Sequence, residues 1–254
     1  MKIIACCKIV PNEEGIVVLP NRELSMAEAA PKISQYDLNA IESGKQLAAE
    51  TSGSMIALSI GGSATLDDSK IRKDVLSRGV DELSLVIDDD HDFSDSLQTA
   101  KAVAEALKQM DGYDLVLCGA GSSDLYAQEV GIQVGTLLGI PSINNVTGIK
   151  VVSETVLEVE RSLEEEVEVL EVNLPAVLSV SSEINVPSVP SMREIMKAGK
   201  KPVNLLSISE ELTASCATIE QLAPEQQERR QQVVEGDNEE AVDALVQFLR
   251  KEGF

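Results

Sequence analysis

The chain has 254 residues, a natural size for one α/β domain with appendages, and its 43% hydrophobic content supports a sizeable core. Its formal charge is −22, from 43 acidic and 21 basic residues, a field that repels phosphodiester backbones and anionic lipid and so argues against nucleic-acid and membrane-surface binding. Four cysteines with no C-x-x-C pair and one histidine leave no sulfur- or imidazole-rich metal site.

In chain order, the first strand pattern covers residues 3–10. The N-terminus is too short for a signal h-region, and no apolar run reaches transmembrane length. A cytoplasmic, reduced chain without membrane insertion is therefore expected. Cys6 and Cys7 lie in this apolar run and Cys118 in a later one, where Cys acts as a small hydrophobe. Further strand-like runs fall at 55–60, 83–87 and 115–118. Helical patterns lie between them. Residues 37–49 carry Leu38, Ile41 and Leu47, and residues 66–77 are closed by Gly79 as a C-cap. Residues 96–110 carry Leu97, Ala100, Val103, Ala104 and Leu107 at helical spacing, and residues 128–138 follow the fourth strand. This alternation predicts an α/β fold with a mostly parallel, Rossmann-like sheet and right-handed crossovers.

From Thr147 to Val180 the period changes from 3.6 to 2, which predicts an antiparallel hairpin excursion. Residues 184–201 are rich in Pro and Ser and then turn basic. Beyond residue 203 the patterning is weak and includes PEQQERRQQ (224–232), before a short helix at 239–251. The expected division is a nucleotide-binding domain over residues 1–203, with the hairpin at 147–180 and the loop at 184–201, and a C-terminal arm over 204–254.

Gly119-Ala120-Gly121-Ser122-Ser123-Asp124 follows an apolar strand and is expected to open a helix. In that context backbone N–H groups and a helix N-terminus face an anion. It is not a Rossmann fingerprint, because Asp124 stands where the third Gly would be, nor a P-loop, because no Gly-Lys-Ser/Thr follows. A Gly-rich turn here serves equally as a tight βα connection. Ile60-Gly61-Gly62-Ser63 follows the second strand similarly. Two Gly-rich ends on adjacent strands favour a ligand at the carboxyl edge of the sheet. Ser191-Met192-Arg193-Glu194 is a capping box that starts a short helix to Met196 or Lys197, after Pro187 and Pro190. It presents Met192, Ile195 and Met196 at an exposed turn. By spacing alone, it is also a small amphipathic helix folded on its own core.

Residues 159–178 run VERSLEEEVEVLEVNLPAVL: a strand with Arg161, an acidic turn at Glu164-Glu165-Glu166, a return strand with Val167 and Val169, then Pro175 and a third strand. By itself this is an ordinary hairpin with solvated turn charges. The ordered combination closely resembles the signature segment of electron-transfer flavoprotein beta subunits, with Ser179 standing where that family usually has Thr, Ala or Cys. The likeness extends over nearly the whole chain. Lys8, KISQYDLNAIE (32–42), SKIRKDVLSRG (69–79) and GSSDLYAQEVG (121–131) resemble the Fix branch, which serves anaerobic reduction pathways including carnitine metabolism.

The resemblance implies an electron carrier subunit and no self-sufficient enzyme, with no catalytic residues of its own. It implies a heterodimer with an alpha subunit and FAD shared at their interface. It also implies AMP, or a second FAD, in this chain. Carried over position by position, the cofactor-binding candidates are Cys6 and Lys8; Ser34, Gln35, Tyr36 and Asp37; Ile60 and Gly61; and Gly119, Ser122, Ser123, Asp124, Ala127, Gln128, Glu129 and Val130. Many family members place a Tyr after the first strand against the flavin of the alpha subunit; here that position is Glu13, which leans towards the Fix or bifurcating type. The family uses the segment at 184–201 as a recognition loop for an acyl-CoA dehydrogenase, with Met192 at the anchor position and Ile195 and Met196 beside it. An enoyl-CoA or crotonobetainyl-CoA reductase-like protein is the corresponding partner in the Fix branch. The alternative is a free-standing adenine-nucleotide-binding regulatory protein of similar fold. A Ser or Cys hydrolase lacks support: there is no G-x-S-x-G elbow, and His91 lies in an acidic loop.

Overall fold

Ile3 and Ala5 point to one face of β1 (Lys2–Cys6), Ile4 and Cys6 to the other, and apolar clusters cover both faces. A strand buried on both sides belongs at the centre of a parallel sheet covered by helices. The computed structural model describes residues 1–91, 93–208, 212–216, 218–225 and 233–253. The elements after β1 are β2 (Ile9–Pro11), β3 (Val17–Val18), β4 (Leu24–Ser25), β5 (Pro31–Ile33), α1 (Gln35–Glu50), β6 (Ser54–Gly61), α2 (Ser63–Leu66), α3 (Ser69–Ser77), β7 (Glu82–Ile87), α4 (Ser96–Lys108) and β8 (Leu115–Gly119). There follow α5 (Val130–Leu138), β9 (Ser142–Val151), β10 (Val156–Ser162), β11 (Val167–Asn173), β12 (Ala176–Val180), α6 (Met192–Ala198), β13 (Val203–Leu206) and α7 (Glu239–Glu252).

Nine strands form one sheet in the order β11-β10-β9-β12-β8-β1-β6-β7-β13. The run from β12 to β13 is parallel throughout, β9 is parallel to β12, and β10 and β11 extend that side as an antiparallel hairpin. The expected α/β, mostly parallel Rossmann-like sheet with its antiparallel excursion is therefore present. Ala5, Met55, Ala57, Leu83 and Leu85 pack with Ile41 of α1 and Val75 and Leu76 of α3 on one face. Ile4, Ile56, Leu58, Val86 and Val116 pack with Val103 and Leu107 of α4 and Val134 of α5 on the other. Each buried Val, Leu, Ile or Met side chain among them contributes about 1.5–3 kcal/mol of transfer free energy. The chain divides into two compact units, Met1–Val17 with Ser25–Glu220, and Val18–Leu24 with Gln221–Phe254. In the second unit, Arg22 Nε donates to the Ala223 carbonyl at 2.7 Å, and α7 starts at an Asn238 cap whose side chain accepts from Ala241 N–H.

Several element boundaries differ from expectation, each for a local reason. The run at 3–10 is two strands. The Lys8 N–H is taken by the Asp37 carboxylate at 2.8 Å and its carbonyl by Ser34 N–H at 3.0 Å, which turns the chain out of the large sheet. β2 then pairs antiparallel with β5 in a separate sheet. The helix expected at 66–77 is broken at Asp67-Asp68, because Asp68 accepts from Lys70 N–H at 2.7 Å and caps a new helix. The Gly119–Asp124 turn does not open a helix directly. Residues 120–129 form a loop in which Tyr126 and Gln128 have φ of 50° and 61°, so α5 begins at Val130 and not at 128. The antiparallel excursion begins within β9, whose first residues pair parallel with β12. β13 went unrecognised: its exposed edge position leaves it no clear apolar period. Of the polar run at 224–232, residues 226–232 lie outside the described residues.

Candidate functional site

β1 is followed in the sheet by β6 and β7 on one side and by β8 on the other, so strand order reverses between β1 and β8. Such a reversal leaves a crevice at the carboxyl ends of the two strands, where α/β sheets bind ligands. A cavity with about 800 Å³ of empty space, part of it open to solvent, lies there. Its lining includes Leu58 and Ile60 from β6, Val103 from α4, Cys118 from β8 and Val130 from α5, with Lys8, Ser96, Ser122 and Glu129 adding polar atoms. The mixture of apolar walls and a few convergent polar groups is the usual make-up of a small-molecule site.

Asp37 joins the two strand ends. It is buried in the first turn of α1, and its two oxygens accept from Lys8 N–H at 2.8 Å and from Gly119 N–H at 3.0 Å. Burial pushes its carboxyl up to about 6, against the opposing pull of those N–H donors, the Ser34 hydroxyl and the Lys8 ammonium. Gly119 has to be glycine for this contact, since a Cβ there would lie 2.6 Å from the nearer Asp37 oxygen. Lys8 Nζ pairs with Asp124, in the loop after β8, at 2.7 Å. Burial raises the Asp124 carboxyl, but the hydrogen bonds from Lys8 and Ser122 outweigh that and hold it below the usual carboxylate range. Glu129, just before α5, accepts from the Ser96 hydroxyl at 2.5 Å and from Gln133 at 3.2 Å, tying α5 to the start of α4. The Cys6 thiol is pushed well up by its hydrogen bond with Cys118 and by burial, and burial pushes Cys7 up as well, so both are held as neutral thiols.

A more open hollow lies alongside, lined by Gln35, Tyr36, Ser122, Ser123, Tyr126 and Ser182. The Tyr36 and Tyr126 rings pack there, tilted by 33°, with centroids 5.0 Å apart. Of the residues singled out from sequence, the crevice gathers Cys6, Lys8, Asp37, Ile60, Gly119, Ser122, Ala127, Gln128, Glu129 and Val130. Gln35, Tyr36 and Ser123 face the hollow. Ser34 is buried, and its hydroxyl accepts from Ser123 N–H at 3.2 Å. Gly61 ends β6 and Asp124 is the partner of Lys8; neither lines the crevice directly. Sequence reasoning missed Phe93, Ser94, Ser96 and Thr99 as lining residues. Their signal is positional: they lie in a third connection leaving a parallel strand at the same carboxyl edge.

Beyond the crevice, β10 and β11 pair with Arg161 opposite Glu168, and Arg161 Nε donates to that carboxylate at 2.6 Å. Glu164, Glu165 and Glu166 form the exposed turn, and β12 follows Pro175 into the centre of the sheet, buried along its whole length. Residues 23–211, well over half of the chain, match the electron transfer flavoprotein domain model. The chain belongs to the electron transfer flavoprotein family. Members of this family are flavin-associated electron carriers.

Within this electron transfer flavoprotein domain, the segment before α6 is held to α1. Asn39 and Asn185 exchange hydrogen bonds, Asn185 also donates to the Ser43 hydroxyl, and Ser188 bonds the Glu42 carboxylate through its N–H and hydroxyl. The capping box is formed at both ends, with Glu194 N–H donating to Ser191 Oγ and Ser191 N–H donating to Glu194 at 2.6 Å. Only Ala198 of α6 is buried. Met192 is 74% exposed, Met196 75% and Ile195 44%. The apolar side chains of α6 therefore point largely to solvent and not into the core. Among the described residues, no helix is long and apolar enough to cross a membrane, and no group of three or more His, Cys, Asp or Glu is placed to hold a metal ion.

Proposed function

We propose that this chain is the beta subunit of a heterodimeric electron transfer flavoprotein of the Fix type, working in the cytoplasm. It pairs with an alpha subunit, and FAD lies between them. The crevice at the β1/β8 reversal takes AMP, or a second FAD. The observation that carries this reading is the convergence at one switch point of ligand-facing candidates scattered from Cys6 to Val130. The crevice suits an adenine nucleotide: apolar side chains face a base, and Lys8, the Ser122 hydroxyl and the N-terminus of α5 suit phosphate oxygens. Asp124 and Glu129 bring negative charge to the same rim, so a phosphate has to share Lys8 with Asp124.

FAD supplies the electron-carrying chemistry, and this chain supplies binding, orientation and a docking surface. Met192, Ile195 and Met196, held out by the capped α6, form the surface for an acyl-CoA dehydrogenase or an enoyl-CoA or crotonobetainyl-CoA reductase-like partner, as in carnitine reduction. The test is co-expression with the alpha subunit, followed by an absorbance spectrum and chromatographic quantification of FAD and AMP. The expected result is a heterodimer with stoichiometric flavin, and an isolated chain without redox-active FAD. Stoichiometric, redox-active FAD on the isolated chain overturns the shared site.

A further inference from the structure

The ladder between β1 and β8 runs from Ile3↔Leu115 to Ala5↔Leu117. Beyond it, the Asp37 carboxylate stands between the two chains and accepts from Lys8 N–H at 2.8 Å and Gly119 N–H at 3.0 Å. The carboxylate thus takes the place of the next rungs, bridging strand ends that the crevice would otherwise separate. Both oxygens are committed to backbone donors, so the group acts on the protein. Ser34 completes the link: its N–H donates to the Lys8 carbonyl, and its hydroxyl accepts from Ser123 in the loop after β8.

We propose that Asp37 is a positioning residue of the nucleotide site: its carboxylate sets the spacing of the Lys8 and Gly119 strand ends so that together they grip a phosphate-bearing ligand. This rests on the adenine-nucleotide reading of the crevice. The groups facing the carboxylate are Ser34 at the cap of α1, the Cys6 and Cys7 thiols and Lys8 from the end of β1, and Gly119 from β8. Lys8 is the one cation named among them, and it is shared with Asp124.

Protonation makes one Asp37 oxygen a donor and a poorer acceptor, so one of its two backbone N–H hydrogen bonds weakens. The folded carboxyl titrates at about 6, above its ordinary value of 3.8. The folded chain therefore binds this proton more readily than the unfolded chain, and the Asp37 contribution to stability falls as pH rises from about 4 to about 6 and is level above that. Ligand binding responds with the opposite sign, since the ionised form holds the strand ends. A group serving the fold alone would not separate the two.

The experiment is calorimetric titration of the full chain with AMP, for wild type and Asp37→Asn, between pH 5 and pH 7.5. Because the AMP phosphate itself titrates near pH 6, the informative quantity is the ratio of the two affinities. The expected ratio is about tenfold in favour of wild type at pH 7.5, the scale of one charge-assisted hydrogen bond, shrinking towards one at pH 5. Amide resonances of Lys8 and Gly119 in the wild type are expected to titrate with a midpoint near pH 6. That measurement stands even where Asp37→Asn fails to fold. Amides that do not move with pH, or a variant that binds AMP like wild type at every pH, overturn the proposal while leaving the nucleotide site intact. Wild type that ignores AMP while both amides titrate overturns the nucleotide reading, and the positioning role with it.

Discussion

A Cβ added to Gly131 would lie 2.0 Å from the Oγ of Ser179 and 3.4 Å from its Cβ. The first turn of α5 thus rests on β12 with room for a hydrogen and nothing more. Gly131→Ala is expected to destabilise the chain by about 1–3 kcal/mol through overpacking. The Ser179 hydroxyl is the obstacle, so Ser179→Ala should recover most of that loss in the double variant. Urea midpoints of the four members of the cycle check this. Strict additivity would show that the contact is not where the strain lies.

Lys8 and Asp124 predict effects of opposite sign. Lys8→Gln removes the cation facing the crevice and should weaken AMP binding about tenfold, with a shallower dependence on salt. Asp124→Asn keeps an oxygen to accept from Leu125 N–H, as Asp124 Oδ1 does at 2.8 Å, but releases Lys8 and removes a charge. It should tighten AMP binding several-fold. Calorimetry at two salt concentrations tests both, and weaker binding by Asp124→Asn would mean that the carboxylate touches the ligand.

Gly121 lies tight against an aromatic ring: a Cβ there would lie 2.5 Å from the Tyr126 ring. Gly121→Ala should push that ring off Tyr36 and weaken ligand binding at the loop while the sheet still folds. Near-UV circular dichroism reports the ring movement and calorimetry the affinity. An unchanged tyrosine signal would refute it.

Met192 should serve partner docking alone. Its side chain is 74% exposed on a capped, tied-down turn, so it adds little to the fold and loses little entropy on burial. Met192→Ala should slow electron transfer to the cognate dehydrogenase by roughly tenfold at sub-saturating partner, equivalent to about 1.4 kcal/mol. Flavin content and melting temperature should stay near wild type. Ser191→Ala, which removes the cap, should give a milder loss of the same kind. Normal transfer by Met192→Ala, or loss of flavin instead, would show that the loop is not the docking surface.

Asp95 sets an acid limit. Burial would raise its carboxyl, but donation from the Ser215 hydroxyl and N–H and from the Gln98 and Cys216 N–H groups outweighs this and holds it well below the usual range. A depressed folded value contributes stability that is present above the unfolded value of about 3.9 and is lost as pH falls below it. Asp95→Asn should therefore destabilise at pH 7 by about 1–3 kcal/mol and flatten the acid limb of the stability curve. Thermal melts from pH 7 to pH 3 decide it; parallel curves for the two proteins would count against the clamp.

What was legible beforehand follows burial. β1, β6, β7 and β8 were readable because both their faces are largely covered and their residues are mostly apolar. The capping box at Ser191 was readable because its partners are three residues apart. β13 was not, because an exposed edge strand needs no apolar period. The start of α5 was not, because Tyr126 and Gln128 adopt left-handed backbone within a loop that folds back towards Lys8 and Ser34. Asp37 was recognisable as a candidate, but the two N–H groups it accepts from lie 29 and 82 residues away in sequence. The α4 side of the crevice was read only as an amphipathic helix, since nothing local marks a lining residue.

With no tryptophan and three tyrosines, this chain is nearly dark in the near ultraviolet. Two of those tyrosines are the ring pair at the hollow beside the crevice. Most of the aromatic emission therefore arises from one spot, and it is the spot a neighbouring ligand would disturb. The molecule carries its own optical probe: its tyrosine fluorescence can follow ligand arrival without a label, and a bound flavin would be seen against almost no background from the protein.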